Sequence, residues 1–227
     1  MMKLEIERLS IEITRRCNMK CSHCMRGNAR NTDRNFEYIT NVLRHTQSID
    51  YLNLTGGEPS MNVEAIKFVL NSLKRRKISV GSFYIVTNDS KTSMSDEFIK
   101  VCSELYAYQE KESHPEQLNC MLEMSNDRFH AATCRDAVHQ KLSAYPFFCN
   151  RYPTTNREGV PQIKQGRSKT GYQVIIGTIG LDGNRVYGDV YLNALGYLIA
   201  VGDLSYSNQD RYIICHSKDF IPYLKSN

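Results

Sequence analysis

The sequence predicts an α/β fold on a parallel sheet, and three observations carry that expectation. Short apolar runs alternate with amphipathic helical stretches over residues 11–142. Each pair of runs is separated by a stretch that reads as a crossover helix, the connection parallel strands use. The residues with chemical potential, moreover, all follow strand ends, where such sheets bind ligands. A chain of 227 residues suits one domain, or one domain plus a small appendage. Hydrophobic content of 41% with 23% charged residues is ordinary for a globular protein and leaves room for a buried core.

Ile11-Glu12-Ile13-Thr14 reads as the first strand, and Phe36 to Gln47 as an amphipathic helix with Ile39, Val42 and Leu43 inward. Tyr51 to Thr55 is the second strand. Its helix runs from Val63 to Lys74, with Ile66, Val69, Leu70 and Leu73 on one face. Phe83 to Thr87 and Ser95 to Tyr106 form the third pair, and Leu118 to Met124 and Ala131 to Leu142 the fourth. Residues 151–170, rich in Pro, Gly, Asn and Lys, read as a long loop or linker. Beyond it, Tyr172 to Ile179 and Arg185 to Leu192 read as strands about a tight turn at Asp182-Gly183. The expected organisation is a core over residues 1–150 and a β-rich C-terminal cap over 151–227.

Cys17-Asn18-Met19-Lys20-Cys21-Ser22-His23-Cys24 follows the first strand and spaces three thiols with no fourth cysteine close by. Three thiolates can hold a 4Fe-4S cluster by three of its irons and leave the fourth iron open to a small chelating molecule. Other readings fit part of the segment. A structural zinc site closes with four ligands, which would bring His23 and its neighbour Cys24 round one ion in a poor geometry. A thioredoxin-like pair would use Cys21 and Cys24 and leave Cys17 unexplained. Three buried, unligated thiols are the plainest alternative. Cys102, Cys120, Cys134, Cys149 and Cys215 show no spacing logic and read as small buried hydrophobes.

The second strand runs into Gly56-Gly57-Glu58-Pro59. Two glycines let backbone approach a ligand closely, and Glu58 offers a carboxylate to an ammonium group. Alone, the segment is an ordinary Gly-Gly turn before a helix capped near Ser60. Its meaning changes beside the cysteines. Thr14-Arg15-Arg16-Cys17-Asn18-Met19-Lys20-Cys21-Ser22-His23-Cys24 resembles the cluster loop of the radical S-adenosylmethionine (SAM) enzymes. It looks most like the branch with molybdenum-cofactor biosynthesis enzymes and SPASM-type peptide maturases. Thr55-Gly56-Gly57-Glu58-Pro59 resembles the second signature of that superfamily, which contacts the amino group of SAM.

The resemblance covers about residues 4–145 and implies a partial (β/α)6 TIM-like barrel that binds SAM at the rim of strand ends. It makes Cys17, Cys21 and Cys24 the cluster ligands and the catalytic set, with Gly56, Gly57 and Glu58 against SAM. His23 takes a position where relatives often carry an aromatic residue bordering adenine. Asn88 matches a Thr-Asn pair, with Asp89 where glycine is more usual. Ser125 and Asp127 resemble a Ser-x-Asp signature near the SAM carboxylate or ribose. Arg167, in Gly166-Arg167-Ser168, resembles a late Gly-Arg element that meets the SAM carboxylate. From the residues alone, Asn88 and Ser125 belong to polar turns and Arg167 to an exposed loop. The implied chemistry is reductive cleavage of SAM to methionine and a 5′-deoxyadenosyl radical that abstracts hydrogen from a substrate. Such clusters are poised at roughly −400 mV or lower, so flavodoxin or ferredoxin is the implied electron donor.

Ile179 to Tyr187 resembles the opening of the extension that carries auxiliary clusters in peptide maturases, and Gly202-Asp203-Leu204 its later part. Gly188 and Asp189 stand where those relatives supply cysteines. The shape of this extension tilts the expected substrate toward a peptide or protein. A small molecule or nucleotide, or activation of a glycyl-radical enzyme, are the alternatives among enzymes. A zinc-containing binding module is the alternative outside them. Twenty-nine basic against twenty-four acidic residues leave +5, partly in Lys74-Arg75-Arg76-Lys77. Basic residues closing a helix suit the macrodipole, and no aromatic residues interleave these, which argues against a nucleic-acid surface. No apolar run approaches a membrane span, and Met1 to Ser10 lacks a signal-peptide core. With eight cysteines, the expected location is a reducing cytoplasm.

Overall fold

A computed structural model of the chain describes residues 3–109, 120–125, 129–130, 134–150 and 162–226. Strands β1 (Leu4–Thr14), β2 (Thr46–Gly56), β3 (Ser79–Thr87), β4 (Leu122–Met124) and β5 (Phe148–Asn150) pair in succession, each parallel to its neighbour. After β6 (Gly180–Asp182), strand β7 (Arg185–Leu192) returns to the free side of β1 and pairs with it in parallel. Six parallel strands thus run in the order β5-β4-β3-β2-β1-β7. β6, β8 (Tyr197–Ile199) and β9 (Ile213–His216) continue the sheet in antiparallel pairs. This is the parallel α/β sheet that the alternation of strands and helices predicts, in the open, barrel-like form that the resemblance implies.

Helices α1 (Phe36–Leu43), α2 (Val63–Arg76), α3 (Asp96–Tyr108) and α4 (Arg135–Leu142) lie between these parallel strands in the chain. Their apolar stripes, among them Ile39, Val42, Ile66, Leu70, Phe98 and Val138, join the strands' apolar positions in one core. The first three helices start under side-chain caps. Asn35, Asn62 and Ser95 accept hydrogen bonds from the backbone N–H groups of Glu37, Ala65 and Phe98. Lys74, Arg75 and Arg76 fill the last turn of α2, and Lys77 ends it in the left-handed conformation at φ 57°. The basic run therefore complements a helix terminus.

The structure departs from the sequence reading at several boundaries. α1 stops at Leu43 rather than Gln47 because Thr46 already begins β2, its hydroxyl donating back to Val42 O at 3.1 Å. β1 and β2 each have eleven residues, longer than their apolar runs suggest, because charged positions on them find partners across the strands. Arg185 meets Asp50 at 2.6 Å and Arg8 meets Asp189 at 3.8 Å. The helix after β2 is capped by Asn62, and Pro59–Met61 forms a short 3-10 turn ahead of it under Glu58. Tyr172 to Ile179 is not a ladder strand; Tyr172 makes one isolated bridge to Ile163, and the hairpin begins only at Gly180. Its turn centres on Gly183-Asn184, one residue later than expected, with Gly183 at φ 60° supplying the left-handed position a two-residue hairpin needs. Leu118, Ala131 and most of the proposed linker lie outside the described residues.

Candidate active site

The ends of β1 and β2 meet at one place, and their backbones explain why the sequence needs glycine there. β1 ends at Thr14, and the loop after it closes on itself. Thr14 bridges to Asp33, Arg15 N–H donates to Thr32 O at 2.8 Å, and Arg30 N–H donates to Arg15 O at 3.0 Å. Within this closed excursion Cys24 N–H donates to Cys21 O and Gly27 N–H to Cys24 O, both at 3.2 Å. β2 arrives alongside, with Gly57 N–H on Thr14 O and Glu58 N–H on Arg16 O, both at 2.8 Å. A Cβ on Gly56 would lie 2.2 Å from Thr14 O, and one on Gly57 2.1 Å from Arg16 O. Only glycine lets the two strand ends lie together.

Glu58, just beyond, is 1% exposed. Its Oε1 accepts from Ser60 N–H at 3.1 Å, Ser60 Oγ at 2.6 Å and Thr87 Oγ1 at 2.8 Å, and its Oε2 from Asn88 N–H at 2.8 Å. No ion pair reaches it among the described residues, and burial pushes its carboxyl above the usual carboxylate range despite those bonds. Asn88 carries the same network to the cysteine loop, its Nδ2 standing 2.9 Å from Asn18 Oδ1 and 3.5 Å from Cys17 Sγ. Burial also pushes the Cys17 thiol up. The next residue, Asp89, holds φ 58° where glycine is more usual, and its buried carboxylate pairs with Arg135 at 2.6 Å.

A cavity of about 430 Å³ opens at these strand ends, a size suited to a small-molecule ligand. Its wall includes Cys17, Cys21, Cys24, His23, Gly56, Gly57, Glu58, Asn88, Ser125 and Arg167, so every residue singled out as a site candidate shares one space. Asp127, the partner expected for Ser125, lies outside the described residues. Ser125 N–H bonds Thr87 O at 2.9 Å. His23 stacks on Phe129 at 4.4 Å between ring centroids and meets His130 edge-on at 5.0 Å. Arg167 is not an exposed loop residue: its N–H and Nε donate to Cys24 O at 2.9 Å and Cys21 O at 2.8 Å, and its Nη1 to Asn28 at 3.1 Å. Gly166 makes that approach possible, since a Cβ there would lie 2.4 Å from Met25 O.

Residues the sequence reading passed over complete the surroundings. His130, Tyr172 and Asp203 line the cavity; no spacing marks them, and Tyr172 and Asp203 stand out in the sequence only as the start of an expected strand and as part of the C-terminal resemblance. Beneath the cysteine loop, fully buried Glu12 accepts from Arg15 Nε at 2.6 Å, Tyr191 Oη at 2.6 Å, Gln209 Nε2 at 2.9 Å and Ala194 N–H at 3.0 Å. Burial pushes Glu12 up, but the charges of Arg15 and Arg26 with its hydrogen bonds outweigh that and hold it below the usual carboxylate range. Arg26 donates to Gly202 O and Leu204 O, and Arg34 to Glu12 O and Leu192 O. The C-terminal segment is thereby fastened under the loop that carries the cysteines.

The donor geometry tests which inorganic group the cysteines fit. Thiolates on one zinc ion stand about 3.8 Å apart, as 2.3 Å Zn–S bonds at tetrahedral angles require. Among the described residues only one trio of Cys, His, Asp or Glu donors closes within 4.8 Å, and it is not drawn from Cys17, His23, Cys21 and Cys24. A wider spread of sulfurs over one cavity fits a multi-iron cluster better than a single ion. Glu58, a buried carboxylate with no ion pair among the described residues, lines the same space and fits a ligand that brings an ammonium group.

Comparison with known proteins follows the same direction. The family model of the Radical SAM superfamily matches residues 11–143. The structure of anSMEcpe with bound AdoMet and the Cp18Cys peptide is similar at TM-score 0.61 and 12% identity, over 98% of this chain and 80% of that one. Streptococcus suis SuiB, solved bound to precursor peptide SuiA, aligns at 18% identity and TM-score 0.33 over 55% of this chain. An uncharacterized protein of Methanocaldococcus jannaschii is 29% identical over 69 residues, 29% of this chain. The chain matches only 24% of the length of each of these last two proteins.

Proposed function

The chain belongs to the radical SAM superfamily, and from that premise we propose that it cleaves SAM reductively and turns the resulting 5′-deoxyadenosyl radical on a peptide or protein substrate. Membership brings a 4Fe-4S cluster and SAM as cofactors, and when bound the cluster supplies the electron for that cleavage. The observation that carries the reading is the shared wall of the cavity, in which three cysteines of the β1 loop face the same space as the buried carboxylate after β2. Cys17, Cys21 and Cys24 would hold the cluster. Glu58 would take the ammonium of SAM, a cation that relieves the cost of its burial. Gly56 and Gly57 keep the strand ends close enough for that, and Asn88 ties Glu58 to Cys17. His23, braced by Phe129, presents a flat face for adenine, and Ser125 offers a hydroxyl to ribose or carboxylate. Arg167 we assign to holding the cysteine loop through its carbonyls rather than to the SAM carboxylate.

The preference for a peptide rests on the fold likeness to anSMEcpe, whose structure contains one. We read residues 1–150 as the core and 151–227 as a cap, with Arg167, Tyr172 and Asp203 bringing the cap to the cavity wall. A low-potential donor such as flavodoxin or ferredoxin would work with it in the cytoplasm; no described helix is long and apolar enough to cross a membrane. The test is electron paramagnetic resonance of the anaerobically reconstituted, dithionite-reduced protein. Addition of SAM should change the cluster signal in the wild type and not in Glu58→Gln. Stimulation of 5′-deoxyadenosine release by a peptide fraction, and not by a small-molecule fraction, supports the substrate class; the reverse overturns it.

A further inference from the structure

Cys120 and Cys149, small buried hydrophobes by the sequence alone, stand 29 residues apart in the chain. In the structure they are joined as a disulfide, with Cα atoms 5.7 Å apart. They are not alone. Glu123 brings a carboxylate oxygen within 4.8 Å of both sulfurs, and its Oε1 lies 3.7 Å from Cys120 Sγ. The other oxygen, Oε2, accepts from the Tyr84 hydroxyl. All three residues are half-buried. Glu123 pairs in register with Val86 on one side and Cys149 on the other, and Val86 walls the cavity that holds the cysteine loop. Glu123 and Cys149 therefore share one face of the sheet with Val86, and Cys120 joins them there through its bond to Cys149.

We propose that Cys120, Cys149 and Glu123 form a second, mononuclear metal site for a thiophilic divalent cation, zinc, in the reduced protein. A disulfide uses two sulfur atoms and has no need of a carboxylate. A zinc ion uses all three donors, and its charge offsets two thiolates and a carboxylate crowded together. The Tyr84 hydroxyl orients Glu123 as outer partners orient metal ligands. Three protein donors leave the fourth tetrahedral position open, the pattern of a site that binds water or a substrate group. The chemistry balances. A dithiol reductant gives two electrons and two protons to the Cys120–Cys149 bond and becomes a disulfide itself; the two thiols formed then release their protons as zinc binds. The site is independent of SAM cleavage, because it shares no residue with the β1 loop.

The experiment uses the full chain, reconstituted anaerobically with iron and sulfide, treated with dithiothreitol, loaded with zinc and desalted. Iron and zinc are counted together in the wild type, Cys149→Ser and Cys21→Ser. The proposal expects about one retained zinc per chain in the wild type. Zinc should be lost in Cys149→Ser while iron stays, and kept in Cys21→Ser while iron falls. Tyr84→Phe keeps every donor and should weaken zinc about 10- to 100-fold in competition with a chelator. Iron retained in Cys149→Ser, and zinc retained in Cys21→Ser, show that the rest of the fold is intact in each variant. Zinc that follows Cys21 instead of Cys149, or a reduced protein whose Cys120 and Cys149 alkylate freely in the presence of zinc, would overturn the assignment. Neither result would touch the SAM reading, which rests on iron and 5′-deoxyadenosine.

Discussion

Replacing Gly57 with alanine places one methyl group at the junction on which the site depends. The new Cβ would stand 2.1 Å from Arg16 O, 2.7 Å from Arg16 C and 3.0 Å from Arg15 O, all backbone atoms with no rotamer to escape into. The strand ends must separate by more than 1 Å to reach ordinary contact near 3.5 Å. Two hydrogen bonds, Gly57 N–H to Thr14 O and Glu58 N–H to Arg16 O, cross that junction at 2.8 Å. Their loss costs about 0.5–1.5 kcal/mol each, and overpacking adds about 1–3 kcal/mol. A destabilisation of about 4 kcal/mol corresponds to a Tm drop of roughly 8–16 °C for a chain of this size. The same movement carries Cys17 away from Glu58, so the folded fraction should bind SAM more weakly and release less 5′-deoxyadenosine. Gly81→Ala is the control. Its Cβ meets Asp50 O at 2.6 Å in the β2–β3 ladder, away from the cavity, so it should cost stability while the folded fraction keeps its affinity for SAM. A Gly57→Ala protein with the wild-type Tm and SAM affinity would refute the reasoning.

Glu12→Gln should cost about 3–5 kcal/mol at neutral pH, because it leaves buried Arg15 and Arg26 without their anion. Because its folded pKa is depressed, the Glu12 contribution is complete above the unfolded value near 4.3 and is lost as pH falls through the folded one. Denaturation midpoints of wild type and Glu12→Gln should therefore converge below about pH 4; a constant gap down to pH 3 would contradict this. Arg167→Ala should reduce iron per chain, since Arg167 grips Cys21 O and Cys24 O. An unchanged iron content with a raised KM for SAM would instead move Arg167 to the SAM carboxylate. His23→Ala should raise the KM for SAM several-fold with iron retained, and equal KM values would remove His23 from the adenine site.

Legibility in the sequence followed the range of the interactions. The cysteine loop, Gly56-Gly57-Glu58 and the α2 stripe are contiguous or periodic, so local spacing exposes them. Arg185 to Leu192 is legible at both ends for the same reason, whereas α1 is shorter than its sequence pattern because Thr46 and Gln47 extend a helical pattern that pairing with β1 overrides. Strand partners were hidden altogether. Nothing local announces that β7 lies beside β1, or that Glu12 meets Tyr191 and Gln209 across 179 and 197 positions. Cys120 and Cys149 belong to the same class, since only the pairing of β4 with β5 brings them together. Arg167 was found by its motif, but its partners are backbone carbonyls, which carry no side-chain signature.

The most direct test of the central claim is 5′-deoxyadenosine formation by anaerobically reconstituted protein given dithionite and SAM, in the wild type and in Cys21→Ala. The account predicts a brown wild type that forms 5′-deoxyadenosine and a Cys21→Ala protein that does not. A colourless wild type, or release of 5′-deoxyadenosine that survives the loss of Cys21, would contradict it.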